Sequence, residues 1–498
     1  MTHIKNILFN TTNSYSINID IIDNIINSIN PEYSCIIVEG KEDLIVKESN
    51  NKLIDLKNNK KVDIIERTPF MQETVSDEIL NACKPIDYDI LQKMSKYEAV
   101  IFSQLQRVDY RFRNFYVMYD RYLSILKFWN NFLEEKNIDL FIANNVPHEG
   151  FDYIIACLCK IKGIKTLFSY QSPITSQVYL LENIEDGCHG LRETLSNYNQ
   201  TLKDVDESEI LLDDNCTALV ERYFTKQDTT PFYMKKQKRN IKYFTNKAIY
   251  TMKKTFKNIV KGVFIKNLKF KICRNSKING PYKKIKKFYN KLAINDLRIN
   301  GEIEKFIYLP LHVQPECTSN PLGDRFENQE FMIQMISAAL PEGYYLYVKE
   351  HPKQESNIYR SKEFFARINN LKNVRLVGTG IKTEMLMEHC VATATITGTA
   401  AWESLFSLKP VLLFGNFCYQ ECKGVFKIKT NKELKEAINK IVAGNCFSKK
   451  DVLIFVKALS ENSVYGYVDE AYKDLSIVSY DDAVKNISNK FIEIIDKY

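Results

Sequence analysis

Long apolar runs are missing from this 498-residue chain. The stretch Tyr153-Ile-Ile-Ala-Cys-Leu-Cys159 is among the most apolar, and it falls far short of the roughly 20 residues that a membrane span needs. The opening residues Met1 to Asn10 pass straight into a strand-like run, with no basic start, long apolar stretch or small-residue cleavage site, so no secretory leader is expected. Paired cysteine spacing is missing too. Twelve cysteines are scattered singly from Cys35 to Cys446, and neither close pair, Cys157/Cys159 or Cys418/Cys422, has a second pair to complete a tetrahedral metal site. Buried thiols in a reducing cytosol are the expected reading. There are only six histidines. Apolar residues make up 45% and charged residues 26%, which excludes wholesale disorder.

Acidic residues are absent between Thr229 and Asn295, while 20 Lys or Arg fall between Lys235 and Lys291. Since the whole chain carries +8, the remainder carries −12. Within the basic window Lys253, Lys254, Lys257 and Lys261 interleave with Phe256, Ile259, Val260 and Phe264 at roughly helical spacing. A basic amphipathic segment of this kind suits an anionic membrane surface, each cation contributing about 1 kcal/mol. A solvated connector is the plainer alternative. Nucleic acid is not an expected partner, because no recognisable binding motif accompanies the charge.

What is present is a rhythm repeated on either side of that window. The first block holds β-rich runs at Asn6–Asn10, Cys35–Glu39, Ala99–Ser103, Leu140–Asn144 and Thr166–Tyr170, with helical patterns over Tyr116–Glu135 and Phe151–Lys162. The second holds runs at Phe306–Pro310, Tyr344–Val348, Val374–Val377, Ala394–Thr397 and Val411–Phe414, with helical patterns over Asn328–Leu340 and Asn431–Val442. Apolar strands alternating with helices predict an α/β fold of two Rossmann-like units facing a central cleft. The expected divisions are 1–205 for a first Rossmann-like domain, 206–300 for the basic, largely helical connector, 301–480 for a second Rossmann-like domain and 481–498 for a terminal helix. Ligands in such sheets sit beyond the carboxyl ends of the strands.

Three stretches stand there. Thr393 to Gly415 reads as a strand, a tight Thr397-Gly398-Thr399 turn, a helix carrying Glu403 and Ser404, and Pro410 opening the next strand. A small-residue turn at a helix N-terminus suits a phosphate, and Glu403, one turn in, can accept from ribose hydroxyls. Tyr347-Val-Lys349-Glu-His351-Pro352 ends a strand in a histidine that the following proline biases towards an extended conformation. That imidazole can donate to phosphate oxygens and, if protonated, offset leaving-group charge. Gln314-Pro315-Glu316 places an amide and a carboxylate on one rigid loop.

Together, Gln314-Pro315-Glu316, His351-Pro352 and the Thr397–Pro410 block resemble the capsule polysaccharide synthesis family. That family includes the bacterial β-Kdo transferases, which carry such QPE and HP motifs; bacterial sialyltransferases similarly place an HP dipeptide near a CMP phosphate. The resemblance covers roughly residues 300–430, with weaker support from Asn144–Tyr153. It implies a GT-B glycosyltransferase using a CMP-activated acidic sugar, either Kdo or a nonulosonate of the sialic, legionaminic or pseudaminic type. It implies that His351 and the Thr397–Thr399 turn hold the phosphate with Lys349 and Ser404 nearby, that Glu403 holds the ribose, and that Gln314 and Glu316 belong to the donor site.

The first block should serve the acceptor, a bacterial surface glycan or glycolipid. Asn145, His148, Glu149 and Asp152 follow one strand, and Gln171 and Ser172 follow another. An inverting transfer needs a base such as Glu149 or His148, and a retaining one a nucleophile such as Glu149 or Asp152. For Asp152 and Glu149 a helix cap is the plainer role. The aromatic-basic run Tyr110–Tyr116 either lines an acceptor groove or packs as a helix face. No metal is expected: Asp213-Asp214 lies outside both sheets, and a helix dipole with His351 can replace a cation. The expected setting is cytoplasmic, on the inner face of the membrane. The rivals are a transferase of CDP-glycerol or a UDP- or GDP-sugar, and a non-catalytic assembly scaffold.

Overall fold

The computed structural model describes residues 4–11, 16–39, 55–56, 61–72, 75–108, 114–226, 280–354, 360–444 and 446–498. The first sheet contains β1 (Asn6–Asn10), β2 (Tyr33–Val38), β3 (Val62–Glu66), β4 (Leu140–Ala143), β5 (Lys165–Gln171) and β6 (Gln177–Leu181). A two-stranded ribbon, β7 (Arg298–Ile299) with β8 (Glu302–Ile303), precedes the second sheet. That sheet contains β9 (Lys305–Pro310), β10 (Tyr344–Lys349), β11 (Val374–Val377), β12 (Ala392–Thr395), β13 (Val411–Leu413) and β14 (Val425–Lys427), all parallel. A last strand, β15 (Ser463–Tyr465), returns to the first sheet.

The orders are β15-β6-β5-β4-β1-β2-β3 and β11-β10-β9-β12-β13-β14. Both halves thus follow the doubly wound order in which the succession of strands, not their direction, reverses beside the first strand, between β1 and β4 and between β9 and β12. The central strands are apolar on both faces because helices cover both. In the second sheet, Ile307, Leu309, Leu346 and Val348 pack on one side, while Phe306, Tyr308 and Tyr347 pack on the other.

One expected strand is a helix. Ala99–Ser103 belongs to Glu98–Val108, which buries Val100, Ile101, Gln104 and Leu105, positions that share one helical face. A short apolar run has no period of its own, and here the length of the whole segment decides. The eleven cysteines among the described residues are free thiols, eight of them buried.

The chain after residue 444 crosses back to the first unit. Helix Lys449–Glu461 packs on helices Leu191–Thr201 and Asp214–Phe224, β15 pairs antiparallel with β6, and helix Tyr480–Ile495 lies on helix Ser16–Ile29. The last contact buries Val484, Ile487, Phe491 and Ile494 against Ile17, Ile21, Ile22 and Ile25, each large side chain contributing about 1.5–3 kcal/mol. The second unit therefore ends near 444 rather than at 480, because the apolar faces of these later elements match the first sheet. An apolar seam joins the two units: Trp402, Leu405 and Phe406 belong to the same cluster as Phe141, Phe168 and Phe455. Most of the basic window lies outside the described residues. Its final helix, Gly280–Leu292, docks through Tyr282, Ile285 and Tyr289.

Candidate functional site

A cleft of about 890 Å³ opens between the carboxyl ends of the two sheets. On the second unit's side its floor is built at the point where the strand order reverses, between β9 and β12. His312, two residues past β9, reaches over to the turn after β12. Its Nε2 accepts from Thr395 Oγ1 (2.9 Å) and from the N–H groups of Ile396 (3.2 Å) and Thr397 (3.4 Å). Thr395 Oγ1 in turn accepts from Gly398 N–H at 3.1 Å. A ring whose Nε2 accepts is neutral, with its proton on Nδ1. Burial, with the charges of His351 and Arg360 added, pushes its pKa down to about 3. Sequence reasoning passed over His312; its signal was its place directly after a strand. Gly398 is fixed by packing: a Cβ there would lie 2.9 Å from Thr395 Oγ1 and 3.3 Å from His312 Cε1.

The turn therefore divides its labour. Thr397 is framework, since its N–H goes to His312 and its hydroxyl donates to the Thr318 carbonyl at 2.6 Å. Thr399 and Ala400 open helix Thr399–Phe406 and line the cleft. Their N–H groups lie at the start of the helix, where no intrahelical carbonyl meets them, at its positive end.

Facing them is His351. Its Nδ1 accepts from the Lys353 N–H at 3.1 Å, so the neutral ring presents a proton on Nε2. Burial, with Lys353, Lys349 and Arg360, pushes its pKa down to about 4. The free protein thus offers a neutral donor rather than the imidazolium considered from sequence. Pro352 is exposed, and its role is confined to the backbone. Under both loops lies Arg360, 1% exposed. It donates to Glu350 Oε2 (3.2 Å), Gln314 Oε1 (2.6 Å) and the His312 carbonyl (3.0 Å), while Glu350 Oε1 accepts the His351 N–H at 2.8 Å.

Several expected donor-site residues do not reach the cleft. Gln314 is spent beneath it, bonded to Arg360, Gln354 and the Glu327 carbonyl. Lys349 turns away to the Ile381 carbonyl (2.6 Å) and Thr383 Oγ1 (3.2 Å). Ser404 is buried against Thr393 and Met387. Glu403 is absent from the cleft lining, and burial beside Glu384 pushes its carboxyl up to about 7. Position along the chain brings these residues to the right end of the sheet but does not fix the direction in which each side chain turns.

Glu316 does line the cleft, with Lys353. Burial raises its pKa, opposed by a Thr318 hydrogen bond and by the charges of Arg107 and Lys353. Across from it stand Asn145, Gln171 and Ser172. Gln171 Nε2 donates to the Gln177 carbonyl, while its buried Oε1 has no partner among the described residues. Ser172 Oγ accepts from Ile174 N–H. Asp469 and Tyr472 complete this wall. They were invisible from sequence because only the crossing segment brings them there.

The other catalytic candidates lie outside this lining. Asp152, fully buried, accepts from the N–H groups of His148 (3.0 Å), Glu149 (2.7 Å) and Tyr153 (2.8 Å), which is the capping role. Glu149 pairs with Arg67 at 2.5 Å, and Arg67 also holds Glu39 at 2.9 Å. Burial pushes the Glu149 carboxyl up and Arg67 pulls it back. His148 Nδ1 sits 2.6 Å from the Val146 carbonyl, and its own carbonyl accepts from Arg107.

The neutral His312 gives a pH prediction. Its depressed folded pKa means that the stability it contributes is intact above 6.5 and is lost as pH falls towards 3. By pH 4.5 the loss should reach about 2–3 kcal/mol. His312→Asn should flatten the fall in Tm between pH 6.5 and 4.5; an unchanged slope would refute a neutral His312.

Residues 223–440 match the family model described as capsule polysaccharide biosynthesis protein. The resemblance read from the motifs is borne out over this range, which contains all three of them. No curated protein matches the chain significantly. Among solved structures, the β-Kdo 2,7 transferase of Thermosulfurimonas dismutans KpsC shares 9% identity, with 72% of this chain and 87% of that one covered, at a TM-score of 0.31. The β-Kdo 2,4 transferase of the same protein shares 11%, covering 66% and 82%, at 0.32. The UDP-GlcNAc 2-epimerase of Methanocaldococcus jannaschii shares 11%, covering 90% and 95%, at 0.27. At such distance these likenesses speak to neither substrate nor reaction.

Proposed function

Taking that family as the premise, we propose that the chain is a GT-B glycosyltransferase. It moves an acidic keto-sugar of the Kdo or nonulosonate type from CMP to a bacterial capsule or lipopolysaccharide glycan. The observation that carries this reading is that His351, with its Nε2 proton, and the Thr399 and Ala400 N–H groups line one cleft, which Glu316 lines as well. These donors suit the phosphate that leaves with the nucleotide, and Lys353 adds positive charge. Glu316 takes the proton from the acceptor hydroxyl as it attacks the anomeric carbon and the bond to CMP breaks. Gln171 and Asn145 orient the acceptor. The helix end and the cationic side chains balance the phosphate charge without a divalent ion, so EDTA should leave transfer intact.

No helix among the described residues is long and apolar enough to cross a membrane. In this reading the basic window holds the enzyme on the anionic inner face of the cytoplasmic membrane, near a lipid-linked acceptor.

Thermal melts with CMP, CDP, UMP, UDP and GDP test the donor. At about 100 times Kd, binding adds roughly 2.7 kcal/mol. CMP should stabilise selectively, and His351→Ala should weaken CMP binding about tenfold by removing one hydrogen bond to a charged group. Selective stabilisation by CDP, UDP or GDP would overturn the CMP assignment. Stabilisation by no nucleotide would favour the scaffold.

A further inference from the structure

A second cavity, of about 310 Å³, lies in the same seam and shares no lining residue with the cleft. β5 runs past both. Thr166 and Phe168 face the second cavity, and Tyr170 and Gln171 face the cleft. The Tyr170 and Phe417 rings, edge to face at 5.8 Å, stand on the cleft side of that boundary. The first unit contributes Tyr97 and Tyr153 to the second cavity, and the second unit contributes Phe326 and Phe414. Each pair packs edge to face, at 6.4 Å and 4.9 Å, and so holds its shape. Asn183 and Asn416 add amides between these aromatic walls. Flat rings with interspersed amides are the chemistry that grips a sugar, whose C–H faces stack while its hydroxyls bond.

The charges identify the sugar further. Glu185 is paired with Lys160 at 2.7 Å, and Asp324 stands 3.7 Å from Arg325. Lys427 has no such partner. Its ammonium donates to the Gly415 carbonyl, to Asn416 Oδ1 (2.6 Å) and to Gln420 Oε1 (3.2 Å), all neutral, and it forms no ion pair among the described residues. Burial, with the charge of Lys429 beside it, pushes its pKa down to about 7, against the opposing pull of Glu421 and Glu185. A half-buried cation at the wall of a cavity, ringed by neutral oxygens and with the carboxylates that act on it, Glu421 and Glu185, beyond ion-pair distance, is left only partly compensated.

We propose that this cavity is a second saccharide site, which takes a sugar bearing a carboxylate and holds it against Lys427. The carboxylated class of sugar rests on the transferase reading above; the cavity and its unpaired cation do not. Because both units line it, an occupant ties them together at a place apart from the donor.

The test is titration of the full chain with free Kdo, Kdo methyl ester and inorganic phosphate, followed by calorimetry, with and without saturating CMP. Kdo binding should persist under CMP and in His351→Ala. It should weaken about tenfold in Lys427→Gln, which keeps donors for the neighbouring oxygens, and measurably in the exposed Lys429→Ala. The neutral ester should bind about as weakly as Kdo binds the Lys427 variant. Loss of Kdo binding in His351→Ala, indifference to both lysine variants, equal binding of the ester, or displacement by equimolar phosphate would each overturn the proposal. Kdo binding that depends on Lys427 in a protein that ignores CMP would sink the donor reading and leave this site standing; CMP binding without Kdo binding would do the reverse.

Discussion

Glu316→Gln is expected to lower turnover by about 10²- to 10⁴-fold, the usual loss when a general base is removed. The affinity for CMP should change less than threefold, since the phosphate donors are His351, Thr399 and Ala400. The substitution is nearly isosteric and keeps an acceptor for Thr318, whose hydrogen bond steadies the carboxylate. Burial displaces the carboxyl's pKa upward, so the acid limb of the rate profile should lie above the ordinary glutamate value of 4.5. The loss belongs in kcat, because proton transfer to Glu316 develops only as the acceptor attacks. A variant with more than a tenth of the native kcat would remove Glu316 from the chemistry, and Asp469, the other carboxylate of the cleft lining, would become the residue to test.

Arg360→Met should destabilise the chain by about 3–5 kcal/mol, the cost of stripping a buried charge of its partner. Glu350, 1% exposed, would lose its cationic partner and keep only neutral donors such as the His351 N–H, and the Gln314 amide and His312 carbonyl would lose their donors. For a unit of this size the shift in Tm is roughly 6–20 °C. Stability should return in part with Glu350→Gln added, because the stranded charge is then gone. CMP binding should not return, because the guanidinium is the piece that links the His312, Gln314 and His351 loops. A Tm within 2 °C of the native value, or recovery of CMP binding in the double variant, would refute this view of Arg360 as the keystone beneath the cleft.

How much of this was legible depended on whether a feature is local. β11 and helix Phe151–Lys162 have the bounds expected, because their apolar runs end at Gly378 and Gly163, and the latter adopts φ +72°. β3 and β15 were not foreseen: each is short, at the sheet edge and only partly buried, so neither carries an apolar signal. In the site, His351, Glu316, Thr399, Gln171 and Ser172 were found because they stand at or soon after the carboxyl ends of strands. Lys349 ends a strand and Gln314 follows one too, yet they bond inward to the Ile381 carbonyl and to Arg360. Chain position sets which end of the sheet a residue occupies. Only the three-dimensional partner decides which way its side chain turns.

The return of residues 449–495 to the first unit sets an order of assembly during synthesis. That unit leaves the ribosome first, yet β6 waits for β15, and helix Ser16–Ile29 waits for Tyr480–Ile495. At about 5–20 residues per second, the roughly 300 residues between β6 and the end of that last helix take about 15–60 s to make. Throughout that interval the nascent chain presents an open strand edge and a row of isoleucines, at Ile17, Ile21 and Ile25, to whatever is near. The half that emerges first is the half that finishes last.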